Sequence, residues 1–166
     1  MDARNLAQIL TIQMRYTDYV FEANLAGMSE EDGFRQPEPS GNCMNWVAGH
    51  IVGSRGDTLR VLGQDSPFAA DKYARYERGT EALSESEEAV SLGEILADFL
   101  AAKGGLAAGL AGLTDEMVAG KAPFSPGNNP EETVGSLLAG LVFHESYHCG
   151  QLGVLRRMTG REGVIK

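Results

Sequence analysis

Basic residues are scarce in this chain and nowhere gathered: 14 Lys and Arg stand against 23 Asp and Glu, a formal charge of −9. Phosphate binding needs a concentrated positive face, so no nucleic-acid partner is expected. Cysteine is nearly absent. Two thiols, Cys43 and Cys149, make no disulfide framework, and no basic segment leads into an apolar run at the start. The expectation is a cytoplasmic chain with both thiols unlinked. Long apolar runs are missing as well. The most apolar tract, 101–113, is broken by Lys103 and four glycines, so neither a membrane span nor a membrane partner is expected. Sustained period-two alternation, the mark of a half-buried strand, is missing too, as are repeats and low-complexity tracts.

What is present is helical periodicity, in a 166-residue chain of one domain's length. A first helix over about 2–26 places Leu6, Ile9, Leu10, Gln13, Tyr16, Val20 and Ala23 near one face. The polar stretch 29–40, with Pro37 and Pro39, reads as a loop. A second helix over 42–62 repeats Trp46, Val47, His50, Ile51, Ser54, Thr58, Val61 and Leu62. Periodicity fades over 63–90, apart from a short helix expected around Lys72–Arg78. Ser91-Leu92-Gly93-Glu94 has the form of a capping box, opening a third helix with a Leu/Ile/Phe stripe that runs to Leu113. After a loop at 123–129, Asn129-Pro130-Glu131-Glu132 supplies an N-cap, a first-turn proline and acids at the positive dipole end. The fourth helix carries Leu137, Leu138, Leu141, His144, His148, Gln151, Leu152 and Leu155 and stops at Gly160. The expectation is one all-α domain over 1–166: a four-helix bundle with a long crossover between helices 2 and 3.

The three histidines, the only ones in the chain, all fall on apolar stripes. His144 and His148 are four apart, one turn on one helix face, which is the spacing two imidazoles need to reach one ion. His50 lies on the inner face of the second helix, one turn after Trp46. Three buried imidazoles need several polar partners, and these stripes offer only Gln13, Ser54, Thr58 and Gln151. One divalent metal ion would satisfy all three. Glycine is abundant, 21 residues against a usual ~7%. Gly53 and Gly140 stand beside the histidines, which fits either close helix packing or space kept for water or substrate.

His144-Glu145-Ser146-Tyr147-His148 also matches HExxH, the zinc-peptidase motif. The longer metzincin form needs glycine at position 151 and histidine at 154, where this chain has Gln151 and Val154. The only downstream acid is Glu162, and nothing suggests a sheet edge to hold a peptide, so a peptidase is not expected.

The run Asn45-Trp46-Val47-Ala48-Gly49-His50-Ile51, with His144-Glu145-Ser146-Tyr147-His148-Cys149-Gly150-Gln151-Leu152, Arg156-Arg157 and Gly160, resembles the DinB-like (YfiT-like) superfamily of metal-dependent enzymes over nearly the whole chain. The resemblance implies a four-helix bundle, a three-histidine site at His50, His144 and His148 holding zinc or nickel, and a dimer. It also implies transferase or isomerase chemistry with a low-molecular-weight thiol, or hydrolase chemistry. Cys149 stands where many relatives carry a basic residue.

Three neutral imidazoles leave an ion its full charge and an open position, able to activate water or a thiol toward a small-molecule substrate. Asp57 and Gln151, each seven residues from a ligand, are the candidates for proton transfer or ligand support. Glu145 lies about 100° off the ligand direction, which fits a solvated or helix-contact role better than catalysis. Tyr16 and Tyr19 fit core packing better than the pocket wall. Neither cysteine faces the ligands, so any sulfur nucleophile is expected from outside. A homodimer is expected through small residues around Ala107, Ala108, Gly109 and Gly112. The rival from another class is a non-catalytic metal-binding or stress-linked interaction protein.

Overall fold

The computed structural model describes residues 2–83 and 89–165; the part of the expected non-periodic stretch at 84–88 lies outside them. Four long helices make the frame: α1 (Ala3–Leu25), α3 (Met44–Val61), α4 (Leu92–Ala111) and α6 (Val134–Met158). Two single-turn helices, α2 (Glu30–Gly33) and α5 (Asp115–Ala119), and a 3-10 turn at Ala74–Tyr76 join them. Among the described residues the only β-type pairing is an isolated bridge between Lys121 and Thr133, and no helix is long and apolar enough to cross a membrane.

The helices pack in the cyclic order α1–α6–α3–α4. Leu6 meets the backbone at Gly135, and Arg156 donates to the carbonyls of Asn24 and Ala26, so α1 and α6 run parallel. Arg55 meets Phe99 and Leu62 meets Gly109, so α3 and α4 run parallel as well. A chain leaving one end of α3 must therefore travel the length of the bundle to start α4. That is the long crossover, and the bundle is the four-helix one expected.

The crossover is bound by a glycine face on α3. Gly49, Gly53 and Gly56 follow one another at helical spacing, and against them lie Tyr76, Tyr73 and Phe68. A Cβ on Gly49 would sit 2.3 Å from the Tyr76 ring, nearer than any carbon tolerates. Tyr76 is fixed further because its hydroxyl donates to Asn45 Oδ1 (3.0 Å) and accepts from the Val90 amide (2.8 Å).

Several element ends differ from expectation. The fourth long helix opens at Thr133, not Asn129: Thr133 and Ser136 form a capping box, while Ala122 donates to the Glu132 carbonyl and Val134 to that of Gly120. Those bonds pair 132–134 with 120–122, and 130–131 form a turn in which the Asn129 side chain accepts from the Glu131 amide. The 29–40 stretch contains the single turn α2, capped reciprocally by Ser29 and Asp32. Helix α5 has its own cap, Thr114, with Asp115 and Glu116 in its first turn. The short helix expected at 72–78 contracts to the 3-10 turn.

The first helix is rotated from its expected face. It buries Leu6, Leu10, Met14, Thr17, Phe21 and Asn24, leaving Tyr16 and Tyr19 at 70% and 60% exposure, in neither the core nor the cavity wall. The reason is polar. Thr17 donates to Glu145 across on α6, so a residue that looks like a surface position has its partner inside, while Asn24 donates to the Val20 carbonyl of its own helix.

Candidate functional site

His50 comes from α3; His144 and His148 come from α6, which runs antiparallel beside it. Their Nε2 atoms converge. Those of His50 and His148 each lie 3.0 Å from that of His144. The rings meet edge to face, with centroids 4.4–4.9 Å apart, while Trp46 stacks flat on His50 and Tyr147 sits edge-on to His148.

The far sides of the rings decide what the near sides are. His50 Nδ1 is 2.7 Å from the Tyr76 carbonyl, and a carbonyl only accepts, so Nδ1 carries the proton. His148 Nδ1 donates in the same way to Gln151 Oε1 at 2.6 Å. The Nε2 atoms of both rings are then lone pairs, aimed at the third imidazole. Ser54 Oγ stands 3.4 Å from His144 Nδ1. An Nε2–H on His144 can serve only one of these two lone pairs at a time, whereas a cation among the three nitrogens satisfies all of them. The three are the one group of histidine, cysteine or acidic side chains among the described residues whose ligand atoms converge in this way, all within 4.8 Å. They could hold a metal ion, and outer acceptors on ligating imidazoles are what a metal centre uses to fix ring orientation.

Burial keeps the rings neutral. It pulls the pKa of His144 down to about 4, helped by His148 and His50. Burial also lowers His50, against the Tyr76 carbonyl and Asp57, and lowers His148, against Gln151. All three are unprotonated at neutral pH, as ligation requires.

Beside the histidines opens a cavity of about 910 Å³, within the size range of small-molecule sites. Trp46, Phe68, Tyr73 and Phe124 give it aromatic walls; Ser54, Asp57, Tyr147 and Gln151 are among its polar groups. The two glycines noted in the sequence divide between the two readings. A Cβ on Gly53 would press on Tyr73 at 3.2 Å, which is close packing, whereas Gly140 lines the cavity and faces open space.

The other candidates fall in different places. Gln151 supports a ligand ring. Asp57 lines the cavity with 43% of its side chain exposed and pairs with Arg60 at 2.8 Å; no contact joins it to the histidines. Glu145 is not solvated: it is 4% exposed, turned away from the histidines and gripped by Arg55, whose Nε and Nη2 reach its two oxygens at 2.9 and 2.7 Å. Arg55 also bonds Asp18 at 2.6 Å and stacks 3.5 Å over Phe99. This fully buried guanidinium pins α3 to α6 beside the histidines. The sequence reading missed it, although a cation at 55 is one turn from Ile51 on the buried side of that helix. Both cysteines are free and buried. Burial pushes Cys149 up to about 12 and raises Cys43, and neither lines the cavity.

No curated protein matches the chain. The sequence model of one family, described as the DinB superfamily, matches residues 13–152, a span that takes in α3, the crossover and all three histidines. The chain belongs to the DinB superfamily.

Proposed function

We propose that the protein is a metal-dependent enzyme in which His50, His144 and His148 hold one divalent ion. The adjoining cavity admits a small thiol, or water, to react with an electrophilic small molecule. The observation that carries this reading is the convergence of three Nε2 atoms at the wall of a cavity large enough for both reactants. Imidazole donors suit zinc and nickel. Bound there, such an ion supplies Lewis acidity and makes a thiol or water a stronger nucleophile at neutral pH.

The chain's own residues do the rest. Tyr76 and Gln151 hold two imidazoles as Nδ1–H tautomers and so keep their Nε2 lone pairs turned inward. The aromatic walls exclude water and strengthen electrostatic interactions inside. Asp57, exposed within the cavity, is placed to take up a proton released there. The buried, high-pKa thiols of Cys43 and Cys149 argue for an external thiol, since a nucleophile must be both accessible and ionisable.

A panel of low-molecular-weight thiols with alkylating and epoxide electrophiles, assayed on protein reconstituted with zinc or nickel, tests this. Turnover that survives the double substitution Cys43→Ser, Cys149→Ser and disappears with chelator supports the reading. If metal-loaded protein turns over neither thiol adducts nor activated esters, it is a non-catalytic metal binder. If the cysteine-free protein is folded, metal-loaded and inactive, a protein thiol is the nucleophile.

A further inference from the structure

The cavity beside the histidines is the groove between α3 and α6, and it extends unequally on their two sides. Toward Trp46 and Gln151 it follows the helices for about one turn past His50 and His148. In the other direction it runs from His144 back to Ser136 on α6 and from His50 to Arg60 on α3. Those stretches are roughly 12 Å and 15 Å of helix. The histidines therefore stand where a short limb meets a long one.

The limbs differ in chemistry. The short one carries the amides of Asn42 and Gln151 and the exposed charges of Glu77 and Arg78. The long one has apolar walls. Phe68 and Tyr73 line it from the crossover, seated on Gly56 and Gly53, while Phe124 packs with Leu137 and Leu141 on the α6 side. Its polar groups are already engaged: the Tyr73 hydroxyl donates to Asp98 at 2.9 Å, Asp57 pairs with Arg60 at 2.8 Å, and Glu132 accepts from Ser125 and Ser136. A charged body in this limb would lose its water against rings and leucines without a free counter-charge. A neutral, apolar one would not.

Gly140 controls the width. It stands one turn before His144 on the same face of α6 and lines the limb, with nothing within 4 Å of where a Cβ would project. Glycine weakens a helix relative to alanine, and no neighbour needs one here. What the missing side chain preserves is open space next to the histidines. Resting on the metal chemistry proposed above, we infer that the long limb binds the body of the electrophilic substrate. That body is a neutral, elongated aryl or alkyl group lying along α6, with its reactive end at the histidines and Gly140 setting the width admitted. The polar co-reactant is left the short limb.

N-phenylnaphthylamine, a neutral and elongated fluorescent probe, tests this on the full chain in EDTA and again with zinc, without reference to activity. Wild type is expected to bind one probe per chain in both conditions. Straight-chain alcohols should displace it about four-fold more tightly per added methylene, until the chain fills the limb. Gly140→Leu should weaken the probe about tenfold or more, at unchanged helical circular dichroism and zinc affinity. Ala139→Leu, exposed and outside the cavity, should bind as wild type does. The alcohol series on wild type carries the test if Gly140→Leu fails to fold. No saturable probe binding, displacement that ignores chain length, or equal affinities in wild type and Gly140→Leu overturns the inference, as do equal losses in the two variants. Probe binding by a protein that takes up no zinc supports the limb and removes the metal reading. Zinc uptake without probe binding overturns the limb and leaves the metal reading standing.

Discussion

Replacing Arg55 by methionine isolates the interaction that holds the histidine-bearing helices together. The guanidinium is 1% exposed and Glu145 4%, so the substitution leaves a buried carboxylate with only Thr17 as hydrogen-bond donor. Removing one partner of a buried pair costs about 3–5 kcal/mol. For a chain of this length that corresponds to a melting temperature roughly 10 °C lower. The reverse change is milder. In Glu145→Gln, Arg55 keeps Asp18 at 2.6 Å and its stack on Phe99. The double variant Arg55→Met, Glu145→Met should recover most of the loss: Asp18 still has Lys103 at 3.5 Å, and Thr17 can donate to the Met14 carbonyl at 3.1 Å. Urea unfolding of the three variants in EDTA, which removes any stabilisation by bound metal, measures each cost. The reasoning fails if Arg55→Met lies within about 1 kcal/mol of wild type, or if the double variant is no better than the worse single one.

Gly49→Ala forces a Cβ into the Tyr76 ring and should cost about 1–3 kcal/mol, seen as an earlier unfolding midpoint; an unchanged midpoint would mean the crossover does not pack there in solution. Gln151→Leu removes the acceptor for His148 Nδ1 and should weaken zinc about 10–100-fold in a chelator competition, with circular dichroism unchanged; equal affinity would deny Gln151 its orienting part. In the metal-free protein, burial depresses the histidine pKa values, His144 to about 4, so below the ordinary ~6.5 the unfolded chain binds more protons than the folded one. Stability should therefore be full above that value and fall as pH drops toward 4; urea midpoints equal at pH about 7.5 and about 5 would contradict neutral burial.

The bundle and its histidines were legible because each signal is local or periodic. A four-residue spacing on an apolar stripe puts His144 and His148 on one face whatever surrounds them, and the Leu stripe of α4 has one possible inside. The first helix defeated the same reasoning because it is apolar on two sides. Tyr16 and Tyr19 looked like core, while the true inner face carries Thr17, whose partner Glu145 is more than a hundred residues away, and Asn24, whose backbone carbonyl accepts from Arg156. Arg55 was missed for a related cause: a buried cation cannot be recognised until its carboxylates are known. The start of α6 depended on Ala122 and Gly120 pairing with 132–134, so an N-cap signal at Asn129 lost to a bridge from another segment. Gly53 was read beside His50 with its purpose left open, and only Tyr73 shows what fills the space there, as Tyr76 and Phe68 do at Gly49 and Gly56.

The central claim is that three imidazoles from two helices act together on one ion. Elemental analysis of protein purified as wild type and as His50→Ala, His144→Ala and His148→Ala, with helical content checked in each, measures it directly. The account predicts one divalent ion per chain in wild type and a sharp loss in every variant at unchanged helicity. Full metal occupancy in all three variants would contradict it.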